Sequence, residues 1–350
     1  MPIRLLSAVA AAMFLLTSCA REAPERRDRR MNPDTPPAPD GNQPPDTNPD
    51  NGNGSGPDDP SPVIPPGTPG AEAALVVIAD SIGAGTLAKT NLDAPDESIS
   101  YLMTNHGDQL PALLDLINGN GGDTAPLFEA VKVPEYAAYS SFDPWALPAR
   151  LEEQRGSAFR LVLVDAEAGM NTFNVPDRID SLKKKAGSGP AVVFFSVGHN
   201  DFCNTPADNA GLEKLRKDYT DAVNAVKTAF PGSEMYFMLP LNIGSLSSIE
   251  QTLQANVGIP LELECSQIRE SYCPIMENDP GDVIARKGAY DNIIREVVQK
   301  AATDHSGRIT LLSAAATMPI TKSDLAVDCF HPNLRGQKKL AETLATEMQP

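Results

Sequence analysis

Five short apolar runs, each of strand length and most followed by a helix-length amphipathic segment, constrain this chain more than any other feature. They are Ala74–Ala79, Arg160–Ala166, Ala191–Val197, Met235–Leu239 and Ile309–Leu312. Continuous apolar content marks a strand buried on both faces, as in a parallel sheet. Between and after them, Pro176–Lys185, Gly211–Phe230, Ala289–Thr303 and Leu334–Met348 read as helices; in the second, Leu212, Leu215, Tyr219, Val223, Val226 and Phe230 recur three or four apart. The alternation predicts an α/β fold, doubly wound, with a mainly parallel five-stranded sheet and helices on both faces. Tyr139–Arg155 predicts the start of a further amphipathic helix, with Trp145 in the core. Two stretches lack a clear pattern: residues 86–134, a lid or surface insertion holding a short helix candidate over Asp108–Asn118, and the long connection Leu241–Arg286.

The N-terminal fifth has a different physics. Arg4 precedes an apolar segment, Leu5–Leu16, too short to cross a bilayer in a helix, which needs about 20 residues, so residues 1–19 read as an export signal. Leu16-Thr17-Ser18-Cys19 resembles the bacterial lipobox, which implies cleavage before Cys19 and acylation of that residue. Several acyl chains together hold a protein on a membrane, whereas one is marginal. Ala20, rather than an aspartate, after the cysteine leans towards an outer membrane. The alternative is ordinary secretion with Cys19 lost or incidental. Residues 20–72 read as a disordered tether: Met31–Gly70 contains thirteen Pro and six Gly with almost no large apolar side chains. Arg21, Arg26, Arg27, Arg29 and Arg30 could rest on anionic headgroups. At about 3 Å per residue in its Pro-rich parts, the tether would reach roughly 100 Å. A formal net charge of −17 excludes nucleic-acid binding driven by phosphate contacts.

Candidate chemistry collects where the strands end, because ligands of such sheets bind at the carboxyl edge. Asp80-Ser81 follows the first strand, Gly169 the second and Asn200-Asp201 the third. Near the C-terminus, Asp328-Cys329-Phe330-His331-Pro332 supplies a base, since a carboxylate three residues before a histidine can take the Nδ1 proton and leave Nε2 for a nucleophile. Each piece alone has a plainer reading, as a helix cap, a turn, a positive-φ glycine or a metal pair. All four in this order favour a nucleophilic site.

These blocks, Ala-Asp-Ser-Ile-Gly-Ala-Gly, Ala-Glu-Ala-Gly-Met, Val-Gly-His-Asn-Asp-Phe-Cys and Asp-Cys-Phe-His-Pro, resemble the SGNH (GDSL-type) hydrolase superfamily, and more closely its phospholipase B-like branch. The resemblance spans residues 74–349 and implies a flavodoxin-like three-layer sandwich over residues 73–350. It implies Ser81 as nucleophile, His331 as base then acid, Asp328 as its partner, and an oxyanion hole from Ser81 N–H, Gly169 N–H and the Asn200 amide. No cofactor or metal is called for. The implied activity is hydrolysis of acyl esters, of a lipid or lysophospholipid, at the cell envelope. The alternatives are a carbohydrate O-acetylesterase acting on envelope glycans and a surface lipoprotein that binds without turnover. Two positions depart from the pattern: Ala79 and His199 stand where glycine is usual. His199, beside the oxyanion loop, is expected to face solvent, with contact to substrate as the alternative, and Asp80 and Asp201 to brace the loops.

Cys203, Cys265, Cys273 and Cys329 form an even set in an exported chain, so two disulfides are expected. Cys265 with Cys273 is the preferred local pair, leaving Cys203 with Cys329. Free buried thiols or a metal site are the alternatives, and no Cys-x-x-Cys spacing supports metal.

Overall fold

Strand β1 (Ala74–Ala79) is apolar and buried at all six positions because it lies inside a parallel sheet with a neighbour on each side. The structure is a computed structural model that describes residues 73–107, 130–206, 208–249, 251–256, 260–270, 273–277 and 280–349. The signal and tether expected over residues 1–72, and the helix expected over Asp108–Asn118, lie outside the described residues. The other sheet strands are β2 (Leu161–Ala166), β3 (Ala191–Ser196), β4 (Glu234–Met238) and β7 (Ile309–Leu312). Their order is β2-β1-β3-β4-β7, all parallel. The doubly wound five-stranded sheet read from the sequence is therefore the architecture of the protein. Two further strands, β5 (Thr252–Asn256) and β6 (Pro260–Glu264), pair antiparallel as a separate hairpin inside what reads as a long connection.

The helices are α1 (Pro95–Asn105), α2 (Leu147–Arg155), α3 (Val175–Ala186), α4 (His199–Asn204), α5 (Asn209–Ala229), α6 (Ile243–Ser247), α7 (Cys265–Glu270), α8 (Pro280–Ala302), α9 (Ala314–Thr317) and α10 (Leu334–Glu347). Helices α3, α5 and α8 pack side by side, and α10 packs with α2 and α9. The two groups take opposite faces because the path steps from β1 to β2 in one direction and from β2 past β1 to β3 in the other, and right-handed crossovers then fall on opposite sides. Only Leu147–Arg155 of the expected Tyr139–Arg155 segment is helical; Pro148 enters at its first turn and Gly156, at φ 65°, ends it. Trp145 is half-buried against the core, its Nε1 donating to Asp143. Helix α8 begins nine residues before the expected Ala289, at a Pro-Gly-Asp start whose polarity hides it.

Register places the site. Ala79 lies level with Ala166 on one side and with Ser196 on the other, so β1, β2 and β3 end together. The turn after β1 is compact: a Cβ on Gly83 would stand 2.3 Å from the Ala79 Cβ and 2.8 Å from Tyr139, so only glycine lets it fold back. Gln337 of α10, fully buried on the apolar stripe with Leu340, Ala341 and Leu344, fastens that turn. Its Nε2 donates to Ile82 O at 3.0 Å and its Oε1 accepts from Ala138 N at 2.9 Å. Gln337→Leu would keep the volume and strand both backbone groups. The expected cost is on the order of 1–3 kcal/mol for each group, read as a lower midpoint in urea unfolding with an unchanged slope.

Candidate active site

The Ser81 Oγ lies 2.8 Å from His331 Nε2, across 250 residues of chain. His331 Nδ1 lies 2.5 Å from Asp328 Oδ2. The other Asp328 oxygen accepts from the Phe330 and His331 amides at 3.2 and 3.0 Å, so the carboxylate is held by its own turn. All three side chains are buried. The turn is closed by a bridge between Leu325 and Pro332 and by Ala326 N–H donating to His331 O at 2.8 Å. Cys329 stands in it at φ 61°, a left-handed conformation that costs a non-glycine residue energy and persists where surroundings hold it.

Gly169 occupies the turn after β2 at φ 79°, a region glycine enters without penalty. Among the described residues, neither its N–H nor that of Ser81 is bonded to an acceptor. Asn200, the second residue of α4, donates from Nδ2 to Met170 O at 3.0 Å, which fixes which way the amide points and leaves it one further N–H. Asp201 accepts from Thr172 N at 2.9 Å and from Thr172 Oγ1 at 2.8 Å, so the loops after β2 and β3 are laced together. Asp80 Oδ1 accepts from Ile82 N at 3.1 Å behind Ser81. Asp80 and Asp201 thus each bond to backbone of these loops. Arg178 of α3 pairs with both Asp165 and Glu167, which lets a buried carboxylate stand near the end of β2.

Two expectations are overturned. His199 does not face solvent: it is 2% exposed and bonded at both ring nitrogens, because its side chain turns inward beneath the loop. The disulfides are Cys203–Cys273 and Cys265–Cys329, not Cys265–Cys273 with Cys203–Cys329. Cys265 opens α7, and Cys273 lies beyond its end with its amide donating to Arg269 O at 2.8 Å, and the two face different partners. Each cysteine therefore reaches out to a strand-end loop, Cys273 to α4 beside Asn200 and Cys265 to the turn between Asp328 and His331.

Three residues of the site frame escape a reading by motif. Gln337 carries the signal of a polar residue on a buried stripe. Tyr290 of α8 donates to Gly198 O at 2.7 Å, and Tyr139 lies under the end of β3, where Ser196 Oγ bonds to its hydroxyl at 3.4 Å; neither carries more signal than an ordinary core aromatic. Among the described residues no group of three or more His, Cys, Asp or Glu is arranged to hold a metal ion.

A hydroxyl, an imidazole and a carboxylate in one hydrogen-bonded line, at the carboxyl edge of a doubly wound sheet, is the arrangement of a serine hydrolase. The model of the GDSL-like lipase/acylhydrolase family matches residues 148–344, and the chain belongs to that family of ester-bond hydrolases. The match covers Gly169, Asn200, Asp328 and His331; Ser81 precedes it in sequence and meets it in space. Among solved structures, an alpha/beta hydrolase, LAE5, from the metagenome of Lake Arreo, Spain, is similar at 18% identity, covering 80% of this chain and 97% of its own, with a TM-score of 0.42. A mutant of Axe2, an acetyl-xylooligosaccharide esterase from Geobacillus stearothermophilus, is 15% identical over 79% of this chain and 94% of its own, at a TM-score of 0.43. The family 3 carbohydrate esterase of Clostridium thermocellum is 13% identical over 77% and 92%, at 0.40. No curated protein matches the sequence.

Burial pushes the Asp201 carboxyl up to about 6, against the pull of the two Thr172 donors. A carboxyl whose folded value lies above its unfolded one binds its proton more tightly when folded. Its contribution to stability is full below about pH 4 and is lost as pH rises through about 6. Asp201→Asn removes this titration. The stability of the variant relative to the native chain should improve by about 1–3 kcal/mol between pH 4 and pH 7.5, measured by urea unfolding at the two values.

Proposed function

We propose that the protein is a serine esterase working through an acyl-enzyme on Ser81, a reading supported above all by the Ser81–His331–Asp328 line at 2.8 and 2.5 Å. His331 Nε2 takes the Ser81 proton as Oγ attacks the ester carbonyl, and Asp328 stabilises the imidazolium through Nδ1. The carbonyl oxygen becomes negative and is met by Ser81 N–H, Gly169 N–H and the second Asn200 N–H. One such donor is typically worth about 10² to 10³ in rate. His331 then protonates the leaving alkoxide as the acyl-enzyme forms. Water, deprotonated by the same nitrogen, releases the acid and restores the hydroxyl.

The substrate we infer is an acyl ester of a lipid or lysophospholipid, on the resemblance of the sequence blocks to the phospholipase B-like branch and on an N-terminus suited to membrane attachment. In this proposal residues 1–19 are a lipoprotein signal, residues 20–72 a tether, and residues 73–350 an esterase domain held at the bacterial envelope, at the outer membrane, through Cys19.

Ser81→Ala is expected to abolish turnover of p-nitrophenyl esters and labelling by a fluorophosphonate probe while leaving unfolding unchanged. Turnover retained in the folded variant would refute the mechanism. Across an ester chain-length series the native enzyme is expected to prefer medium or long acyl chains; a strict preference for acetyl would move the assignment to a carbohydrate O-acetylesterase. Separately, Cys19→Ser is expected to shift the protein from the membrane to the soluble fraction, and unchanged sedimentation with membranes would count against the lipid anchor.

A further inference from the structure

The proposed mechanism leaves one buried imidazole without a task. Leu241 N–H donates to His199 Nε2 at 3.0 Å, and His199 Nδ1 lies 2.7 Å from Asp80 Oδ2. A backbone amide only donates, so Nε2 carries no proton, and the single ring proton stands on Nδ1 and points at Asp80. The edge of the sheet therefore holds two Asp–His pairs that differ in what meets Nε2. At His331 it is a hydroxyl that can release its proton, whereas at His199 it is an amide that cannot. His199 has no base chemistry available to it in this arrangement.

Its connections suggest another task. Asp80 directly precedes Ser81, His199 directly precedes Asn200, and Leu241 lies in the loop after β4. One ring thus ties together the turns that follow β1, β3 and β4. The turn carrying Asn200 is also held by Asp201 to Thr172 and by Cys203 to Cys273, but these ties run to the loop after β2 and to the residue beyond α7 rather than to the Ser81 turn. Gly198 is at φ 145°, its carbonyl held by Tyr290, and a Cβ there would stand 3.3 Å from the Tyr290 hydroxyl oxygen. Where glycine stands at position 199, as the family resemblance leads one to expect, no side chain could make this bridge.

We propose that His199 is a positioning residue that sets the Asn200 amide against Ser81 by locking the β3 turn to the β1 turn through Asp80. The proposal rests on the esterase reading of Ser81 and Asn200. Removing the ring leaves Leu241 N–H and one oxygen of the buried Asp80 carboxylate unpartnered and opens a void beneath the loop, so that the side-chain tie from the β1 turn to the residue before Asn200 is lost while the Asn200 amide keeps its bond to Met170.

The test is a double-mutant cycle in the full chain with a p-nitrophenyl ester. His199→Ala is expected to lower kcat by about 30- to 100-fold with KM within about twofold, and Asn200→Ala by about 10² to 10³. The double variant should be no slower than Asn200→Ala alone, since both changes remove the same donor. His199→Gln, which offers one acceptor and one donor, should regain at least about tenfold of the loss. Should His199→Ala fail to fold, His199→Gln with and without Asn200→Ala runs the same cycle. Losses that multiply, a change confined to KM, or a lower melting temperature with unchanged kcat would each overturn the proposal. A neutral His199→Ala beside an inactive Ser81→Ala would sink only this inference, whereas an active Ser81→Ala would sink the esterase mechanism beneath it.

Discussion

A hydrogen bond of 2.8 Å between residues 250 positions apart is the constraint that the rest of this structure has to satisfy. Such a bond contributes only about 1 kcal/mol net, so it cannot itself bring the ends of the domain together. The surroundings do that. Leu92 N–H donates to Leu325 O, Val327 N–H to Thr90 Oγ1, and Leu334 N–H to Ala88 O, so that residues 88–92 run against the turn carrying Asp328 and His331. Gln337 holds the same turn's helix to Ile82, one residue past the serine. The serine and the imidazole are thus two points on one laced surface, and the contact between them is a consequence of that lacing.

What could be read from the sequence follows from the same economy. Parallel strands buried on both faces have no polar side to alternate with, so Ala74–Ala79 and Ala191–Ser196 stand out as unbroken apolar runs, and their ends, with that of β2 beside them, locate Ser81, Asn200 and Gly169 at one edge. The Asp328–His331 spacing is local and needs no tertiary knowledge. By contrast, β5 and β6 are short and half polar, Thr-Leu-Gln-Ala-Asn and Pro-Leu-Glu-Leu-Glu, and draw their stability from each other and from α1 rather than from their own pattern. The alternation of apolar and polar residues over five positions in each is the one signal they carry, and it is easily lost in a polar connection.

The direction of His199 was illegible for a different reason. A loop histidine turns outward unless two partners wait inside, and here those partners are a carboxylate 119 residues earlier and an amide 42 residues later. Neither can be inferred from Gly-His-Asn-Asp. The cysteines pose the same problem in covalent form. Closeness in sequence suggests Cys265 with Cys273, but Cys265 opens a helix and Cys273 lies beyond it, and the partners come from 64 and 70 residues away.

That pairing gives the insertion between β4 and β7 a purpose the sheet does not supply. The sheet needs only α8 to carry the chain from β4 to β7, since the two strands are neighbours. The extra hairpin and α7 form a mount to which two separate loops are bolted, one through Cys203, three residues after Asn200, and one through Cys329, two residues before His331. In the chain-entropy model, closing loops of this length removes about 4 kcal/mol of freedom from the unfolded chain for each bond, on the order of the stability of many whole domains. The loops that would supply the oxyanion donor and the general base therefore do not depend on their own few hydrogen bonds. They are referred to one common support, and an error in the placement of one relative to the other has to distort that support first.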